Sequence, residues 1–225
     1  MHCPPTLLHI DSDAYTAFLL HREAGSWPFV RHIGIASDGS EGIHIARERE
    51  PDLVILELML ADMDGFSLIE KLGCLPRKPA IIVFTSITNE YSLYRIKRLH
   101  IGGVVWKTWN GHEQLAAAIQ CVVGGGIFLS LEAISSIQKF NRDPNAFWKI
   151  MSEREISLLP LFGIGLSDLD ASLLTGLKPG TIHSHRQRIM AKLDLHRRDA
   201  LMNWCREKGF VMRLLPRKPS CISSD

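Results

Sequence analysis

Residues 51–72 read PDLVILELMLADMDGFSLIEKL, and this stretch decides the fold. The almost unbroken apolar run over 53–58 is a strand covered on both faces, the turn residues up to Gly65 end it, and Phe66 to Leu72 places apolar side chains at helical spacing. The same strand–turn–helix unit recurs on either side. TLLHI (6–10), VRHIGIA (30–36), AIIVF (80–84) and GVVW (103–106) read as further strands. Residues 14–23, 40–49, 90–99 and 112–123 read as the amphipathic helices between them. Continuous apolar strands joined by crossover helices require a parallel sheet covered on both sides. The predicted fold over residues 1–123 is therefore an α/β doubly wound (βα)5 domain.

Gly124-Gly125-Gly126 closes the last of these helices. A helical piece at 131–140 runs into the turn residues NRDPN at 141–145, so residues 124–148 are expected to form a linker with a short helix. No strand pattern follows. Ser152-Glu153-Arg154-Glu155 is a capping box that opens a helix to about 162, and Ser167-x-x-Asp170 opens a second after the Gly163/Gly165 turn. Pro179 suits the first turn of a third helix reaching Lys192, and 198–208 forms a fourth. Residues 149–212 thus read as an all-α four-helix domain containing a helix-turn-helix, and 213–225 as a flexible tail.

The composition agrees with two small soluble domains. Of 225 residues, 46% are hydrophobic and 22% charged, with a mean hydropathy of +0.05, which excludes disordered and fibrous classes. The apolar run at 53–60 is broken by Glu57 and falls well short of the ~20 residues a membrane-spanning helix needs. The opening MHCPPTLLHI lacks a basic segment leading into a long apolar stretch, so the expected compartment is the bacterial cytoplasm, with no membrane contact. Five cysteines (3, 74, 121, 205, 221) without CxxC pairing argue against a disulfide framework or a zinc site. Net charge is +2 but unevenly divided: residues 1–145 carry 13 basic and 16 acidic side chains, and 146–225 carry 13 and 8. That asymmetry joins an acidic module to one that faces nucleic acid.

Residues 179–192, turned by about 100° per residue, separate Ile182, His185, Ile189 and Leu193 from His183, Ser184, Gln187, Arg188 and Ala191. One face packs and the other looks outward. Between 178 and 198 there are six Lys or Arg (178, 186, 188, 192, 197 and 198) against the single acid Asp194, on a helix slim enough for the DNA major groove. These residues resemble the helix-turn-helix of NarL/FixJ (LuxR-type) transcription regulators over 151–208. The shared features are Arg154-Glu155, Gly165-Leu166-Ser167, Thr181-Ile182-x-x-His185 and Ile189-x-x-Lys192-Leu193. The resemblance implies that Thr181 and Lys192 hold phosphates and that His183, Ser184 and Gln187 read bases, with Arg188 meeting a guanine or a phosphate. It also implies dimerisation through 198–208, with Ala200, Leu201 and Trp204 as contacts. Lys178 stands where a Ser or Thr usually caps the helix, exchanging a cap worth about 1 kcal/mol for a phosphate contact. Arg186 replaces an apolar residue and is expected either to pair with an acid such as Glu155 or to snorkel. His185 is expected to pack rather than to bind metal.

The first domain resembles a response-regulator receiver along its whole length, with 51–72 the most specific stretch. Receivers set two acids after the first strand, an acceptor Asp after the third, Thr or Ser after the fourth and Lys after the fifth, all at the carboxyl edge of the sheet. The matching positions here read Asp11, Ser12, Glu57, Thr85 and Lys107, with Asp13 one register on. The acceptor is a methylene longer than Asp and one metal-binding acid is missing, so the resemblance implies a pseudo-receiver rather than a phosphorylated one. Val104, Thr108 and Ala61 replace the usual aromatic switch residue and two prolines. Glu57 is expected either to form a standing ion pair with Lys107 or to be a relic in a domain kept for dimerisation. Asp11 is expected to bond locally or to pair with Lys107.

The expected function is DNA-binding transcription regulation rather than enzymatic catalysis, with neither cofactor nor metal. Its expected partners are double-stranded promoter DNA, a second copy in a homodimer, RNA polymerase indirectly, and a regulatory protein as one source of control. The alternatives are a working phosphorelay output with an unusual acceptor, and a ligand- or redox-responsive regulator using Cys3, Cys74 or the cavity at Glu57. A flavin-binding or catalytic doubly wound protein is disfavoured, because IDSDAYTA at 10–17 offers no phosphate cradle.

Overall fold

The computed structural model describes residues 3–108 and 110–211. The expected tail at 213–225, with Cys221, lies outside the described residues. Two compact units emerge. Among the described residues, the first comprises those from 3 to 88 and from 99 to 135, and the second those from 89 to 98 and from 136 to 211.

In the first unit β1 (Thr6–Ile10), β2 (Arg31–Ala36), β3 (Leu53–Leu56), β4 (Ala80–Thr85), β5 (Gly103–Trp106) and β6 (Phe128–Leu129) form one sheet in the order β2-β1-β3-β4-β5-β6. Every pairing is parallel. The crossovers supply α1 (Ala14–Ala24), α2 (Gly39–Arg49), α3 (Gly65–Gly73) and α5 (Gly111–Val123), while α4 (Glu90–Ile96) belongs to the second unit. Strand alternation divides the apolar side chains between the two faces. Leu7, Ile55, Phe84 and Val105 pack in one core with Leu20 of α1 and Leu115, Ile119 and Val122 of α5. On the other face α2 comes close because Gly42 has no side chain: a Cβ there would lie 2.5 Å from the Ile10 Cδ1. Gly65 is equally constrained, since its Cβ would meet the Leu58 backbone at 2.5 Å. The turn into α3 is closed by the Gly65 N–H donating to the Leu58 carbonyl at 2.9 Å, with Asp64 capping the helix.

The structure corrects one expectation about organisation. Residues 124–148 are not a linker throughout. Phe128 and Leu129 extend the sheet beside Gly103 and Val104 as a sixth strand, giving six strands where five were expected. A two-residue strand carries too little periodicity to be read. Residues 89–98 group with the second unit, in which Tyr91 lies 4.2 Å from the Phe210 ring and Tyr94 lies 5.3 Å from Phe147.

The second unit is built on α8 (Glu153–Gly163), α9 (Asp168–Thr175), α10 (Pro179–Lys192) and α11 (Arg198–Glu207), joined by α4, most of α6 (Leu131–Arg142) and the short α7 (Phe147–Ile150). The capping box at Ser152/Glu155 forms as expected, Ser167 caps α9, and Gly176 ends α9 at φ 71°, where a side chain would be strained. Leu158, Leu159, Phe162, Ala171, Ile182, Ile189 and Leu201 are wholly buried between these helices. No helix among the described residues is long and apolar enough to cross a membrane.

Candidate receiver pocket and exposed basic helix

Strand register brings the pocket together. Ile10 pairs with Leu56, and Thr85 pairs with Trp106, so the residues that follow β1, β3 and β5 emerge side by side at the carboxyl edge of the sheet. Glu57 N–H donates to the Ile10 carbonyl at 3.0 Å and Lys107 N–H to the Thr85 carbonyl at 2.8 Å, which fixes both backbones. The Lys107 ammonium then reaches Glu57 Oε2 and Asp11 Oδ2, each at 2.7 Å. Glu57 Oε1 accepts the Leu58 N–H at 2.6 Å and the Thr85 hydroxyl. Asp11, Glu57 and Thr85 are buried. Burial opposes ionisation of Asp11, but the nearby His9 ring, the Lys107 charge and the Asp13 N–H outweigh it and hold the carboxyl below its usual range. Burial likewise disfavours the Lys107 cation, and the Glu57 and Asp11 charges more than restore it.

The remaining positions turn elsewhere. Ser12 Oγ donates to the Ser37 carbonyl at 2.9 Å and accepts the Ala61 N–H at 3.2 Å. Asp13 caps α1, taking the Tyr15 N–H at 3.1 Å and the Thr16 hydroxyl at 2.7 Å. A magnesium ion, which receivers use, needs several oxygen ligands in near-octahedral array. The two buried carboxylates here share one ammonium, the serine is engaged, and the third acid faces away. Among the described residues no group of three or more His, Cys, Asp or Glu side chains converges as metal ligands. The residues present do not fit that ion.

In the second unit α10 turns Ile182, Arg186, Ile189 and Met190 inward, while Thr181, His183, Ser184, Gln187, Arg188 and Lys192 are exposed. Ser184 donates its hydroxyl to the Gly180 carbonyl at 2.9 Å, which leaves its oxygen as an acceptor. Lys178 occupies the N-cap with no side-chain cap, as its residue type dictates. Three details differ from expectation. Arg186 is buried and pairs with Asp168, at 2.8 Å from Nε, rather than with Glu155, because its guanidinium lies 4.0 Å over the Phe162 ring and is aimed at the start of α9. Glu155 instead takes Lys192 at 2.6 Å, so the ammonium expected on a phosphate is engaged within the fold. Leu201, expected at a dimer contact, has no exposed surface and belongs to the core. Ala200 and Trp204 stay half-buried, with Trp204 stacked 5.8 Å from Phe210.

The response regulator receiver domain matches residues 8–120, half of the chain. The chain belongs to the response regulators. A Pseudomonas aeruginosa protein described as a transcriptional regulator is 29% identical over 180 residues, covering 80% of this chain and 86% of that one. Oxygen regulatory protein NreC of Staphylococcus haemolyticus is 27% identical over 190 residues, again covering 80% and 86%. Among solved structures, RcsB, in a structure of two RcsB dimers bound to two parallel DNAs, aligns with a TM-score of 0.63 at 21% identity, covering 91% of this chain and 99% of that one. The alignment with RcsB spans 91% of this chain, so both units take part in the shared fold.

Within this response regulator two residues escaped the sequence reading. Asp168 was passed over because an acid in the first turn of a helix is ordinary; its role as partner of Arg186 appears only once α9 and α10 are packed. His9 was hidden in a strand. It is fully buried beside the pocket, its Nε2 lies 3.5 Å from Asp11, too far for a good hydrogen bond, and neither ring nitrogen has a hydrogen-bond partner among the described residues. Burial pushes His9 down, Asp11 partly offsets this, and the Lys107 and His112 charges reinforce it. Burial, with His21 and His9 nearby, lowers His32 to about 4. In the unfolded chain both rings take a proton near pH ~6.5, so between ~6.5 and ~4 the unfolded state binds more protons and stability rises with pH. The thermal midpoint of the full chain is expected to fall as pH drops from about 7 to about 5 and to do so less steeply in a His9→Asn/His32→Asn variant. Equal slopes in the two proteins would contradict this.

Proposed function

We propose that this response regulator binds promoter DNA as a dimer through α10, and that it does so without phosphorylation of its receiver. The observation that carries the second part is the engagement of Glu57: Lys107 and Thr85 already hold the carboxylate that would have to attack a phosphodonor. In-line attack tolerates little misplacement, with small errors costing about 100-fold in rate. The added methylene and the shared ammonium both move Glu57 away from the geometry an aspartate would have. A carboxylate fixed to the Lys and Thr of this pocket supplies negative charge there permanently, which makes Glu57 a standing substitute for a phosphorylated acceptor.

For the DNA part, support comes from the outward face of α10. His183, Ser184, Gln187 and Arg188 lie on one exposed surface flanked by Lys178 and Thr181, on a helix of the right girth for the major groove. NreC and the Pseudomonas aeruginosa relative are regulators by name, and RcsB has been solved on DNA as dimers. Ala200 and Trp204 of α11 form the dimer contact, without Leu201. Control then rests on dimerisation, abundance or a regulatory protein, and the route to RNA polymerase is indirect.

The test uses a small acyl phosphate with magnesium and intact mass. The mass is expected to stay unchanged, and a gain of one phosphoryl group overturns the reading in favour of a working phosphorelay output. A companion comparison places Glu57→Gln and Glu57→Asp beside the parent. A change in DNA affinity or dimer fraction is expected in Glu57→Gln, and unchanged values in both variants end the regulatory role of the ion pair.

A further inference from the structure

His183 sits on the outward face of α10, yet its ring is tied at one corner. Nδ1 lies 3.2 Å from Oδ2 of Asp168, the first residue of α9. That carboxylate is itself anchored. Arg186 donates to Oδ1 from Nε at 2.8 Å, and Arg198 reaches Oδ2 at 3.2 Å. Arg186 is buried and also donates to the Leu166 carbonyl at 3.0 Å, so the carboxylate it grips has a set position. Burial opposes ionisation of Asp168, but the Arg186 and His183 hydrogen bonds and the two arginine charges hold its carboxyl below the usual range. At neutral pH it is an acceptor and nothing else.

An obligate acceptor facing Nδ1 decides where the ring keeps its proton. A neutral imidazole has one N–H, and with that proton on Nδ1 the opposite nitrogen, Nε2, carries a lone pair. The His183 side chain is 51% exposed, so its untied edge is open to a ligand. In the major groove an acceptor finds a donor only on the amino groups of adenine and cytosine. Guanine offers N7 and O6 and thymine O4, all of them acceptors.

We infer that Asp168 is a specificity-determining positioning residue: it locks His183 in the Nδ1–H form, so that α10 selects adenine or cytosine at the base His183 faces. The inference rests on the reading of α10 as a groove-docked helix. His183, Arg186, Arg198 and Asp168 form one cluster in which the buried Arg186 fixes the acid, and the acid fixes the tautomer.

Two measurements at pH 8, above the range where imidazoles ordinarily titrate, test it. A long-range proton–nitrogen spectrum of the full-length protein, with the ring assigned by loss of its signal in His183→Gln, is expected to show Nδ1 protonated; a dominant Nε2–H form overturns the inference. Selection from random duplexes is then compared for the parent, Asp168→Asn and His183→Ala. In Asp168→Asn the amide oxygen stays on Arg186 and the amide N–H₂ faces His183. Nδ1 must then accept, and Nε2 becomes a donor, suited to the acceptor-only edges of guanine and thymine. The preference at one base position is expected to move from adenine or cytosine toward guanine or thymine by about fivefold, the scale of a single hydrogen bond. His183→Ala is expected to erase the preference there and leave the others in place. An unchanged preference in folded Asp168→Asn overturns the role of Asp168; if that variant fails to fold, the spectrum of the parent decides. A parent that binds no duplex refutes the DNA reading itself, which is a distinct outcome.

Discussion

Lys107→Met is expected to lower the stability of the first unit by about 3–5 kcal/mol, the cost of leaving buried charge without its partner. Methionine keeps most of the stem and so separates charge from packing. In the parent one ammonium serves two carboxylates at 2.7 Å each, and both acids are almost wholly inaccessible to solvent. Removing it strands Asp11 and Glu57 close together in a low-dielectric pocket. One of them then has to take a proton, so the defect should shrink as pH falls toward the carboxylate range and grow above it. Removing one of the two stranded charges in Lys107→Met/Glu57→Gln returns the pocket to the parent's net charge of one carboxylate and should recover part of the loss, because a neutral amide still accepts from the Leu58 N–H and Thr85. Urea unfolding of the full chain at two pH values measures all of this. A single variant as stable as the parent would mean that the pocket does not depend on the ion pair.

The second large effect concerns salt. If α10 and its flanking cations neutralise six to ten phosphates per dimer, DNA affinity should fall about 10³- to 10⁵-fold between 50 and 200 mM salt. Lys178, Arg188 and Arg197 are the exposed cations nearest to hand. Lys192 contributes less than its position suggests, because it begins in a 2.6 Å pair with Glu155 and would have to share its remaining donors. Lys192→Gln should therefore flatten the salt slope less than Lys178→Gln. Affinity indifferent to salt would contradict groove docking altogether.

Much of this was legible in the residues and some was not, for physical reasons. Strands such as LVIL and AIIVFT announce themselves because a doubly covered parallel sheet needs unbroken apolar runs. Helix starts were legible where Ser152 and Ser167 cap, since capping is local. Phe128–Leu129 was missed because two residues carry no period. The helix at 90–96 was found, but not the core it joins: amphipathic spacing says that Tyr91 and Tyr94 are buried, not which aromatic rings bury them. The same limit applies to Leu201, which is apolar at the right spacing yet turned into its own unit. The pocket residues were located through resemblance and strand order. That Lys107 bridges Asp11 as well as Glu57 is a contact across 96 residues, which local pattern does not carry. Asp168 was invisible for a related reason: its partners lie 15, 18 and 30 residues away on helices whose packing had first to be known.

The most direct test is the dissociation constant of the untreated full-length protein for a duplex chosen by selection, measured before and after incubation with an acyl phosphate and magnesium. Sequence-dependent binding is expected from the outset, with the same constant afterwards. No binding before treatment, followed by tight binding once a phosphoryl group is attached, would contradict it.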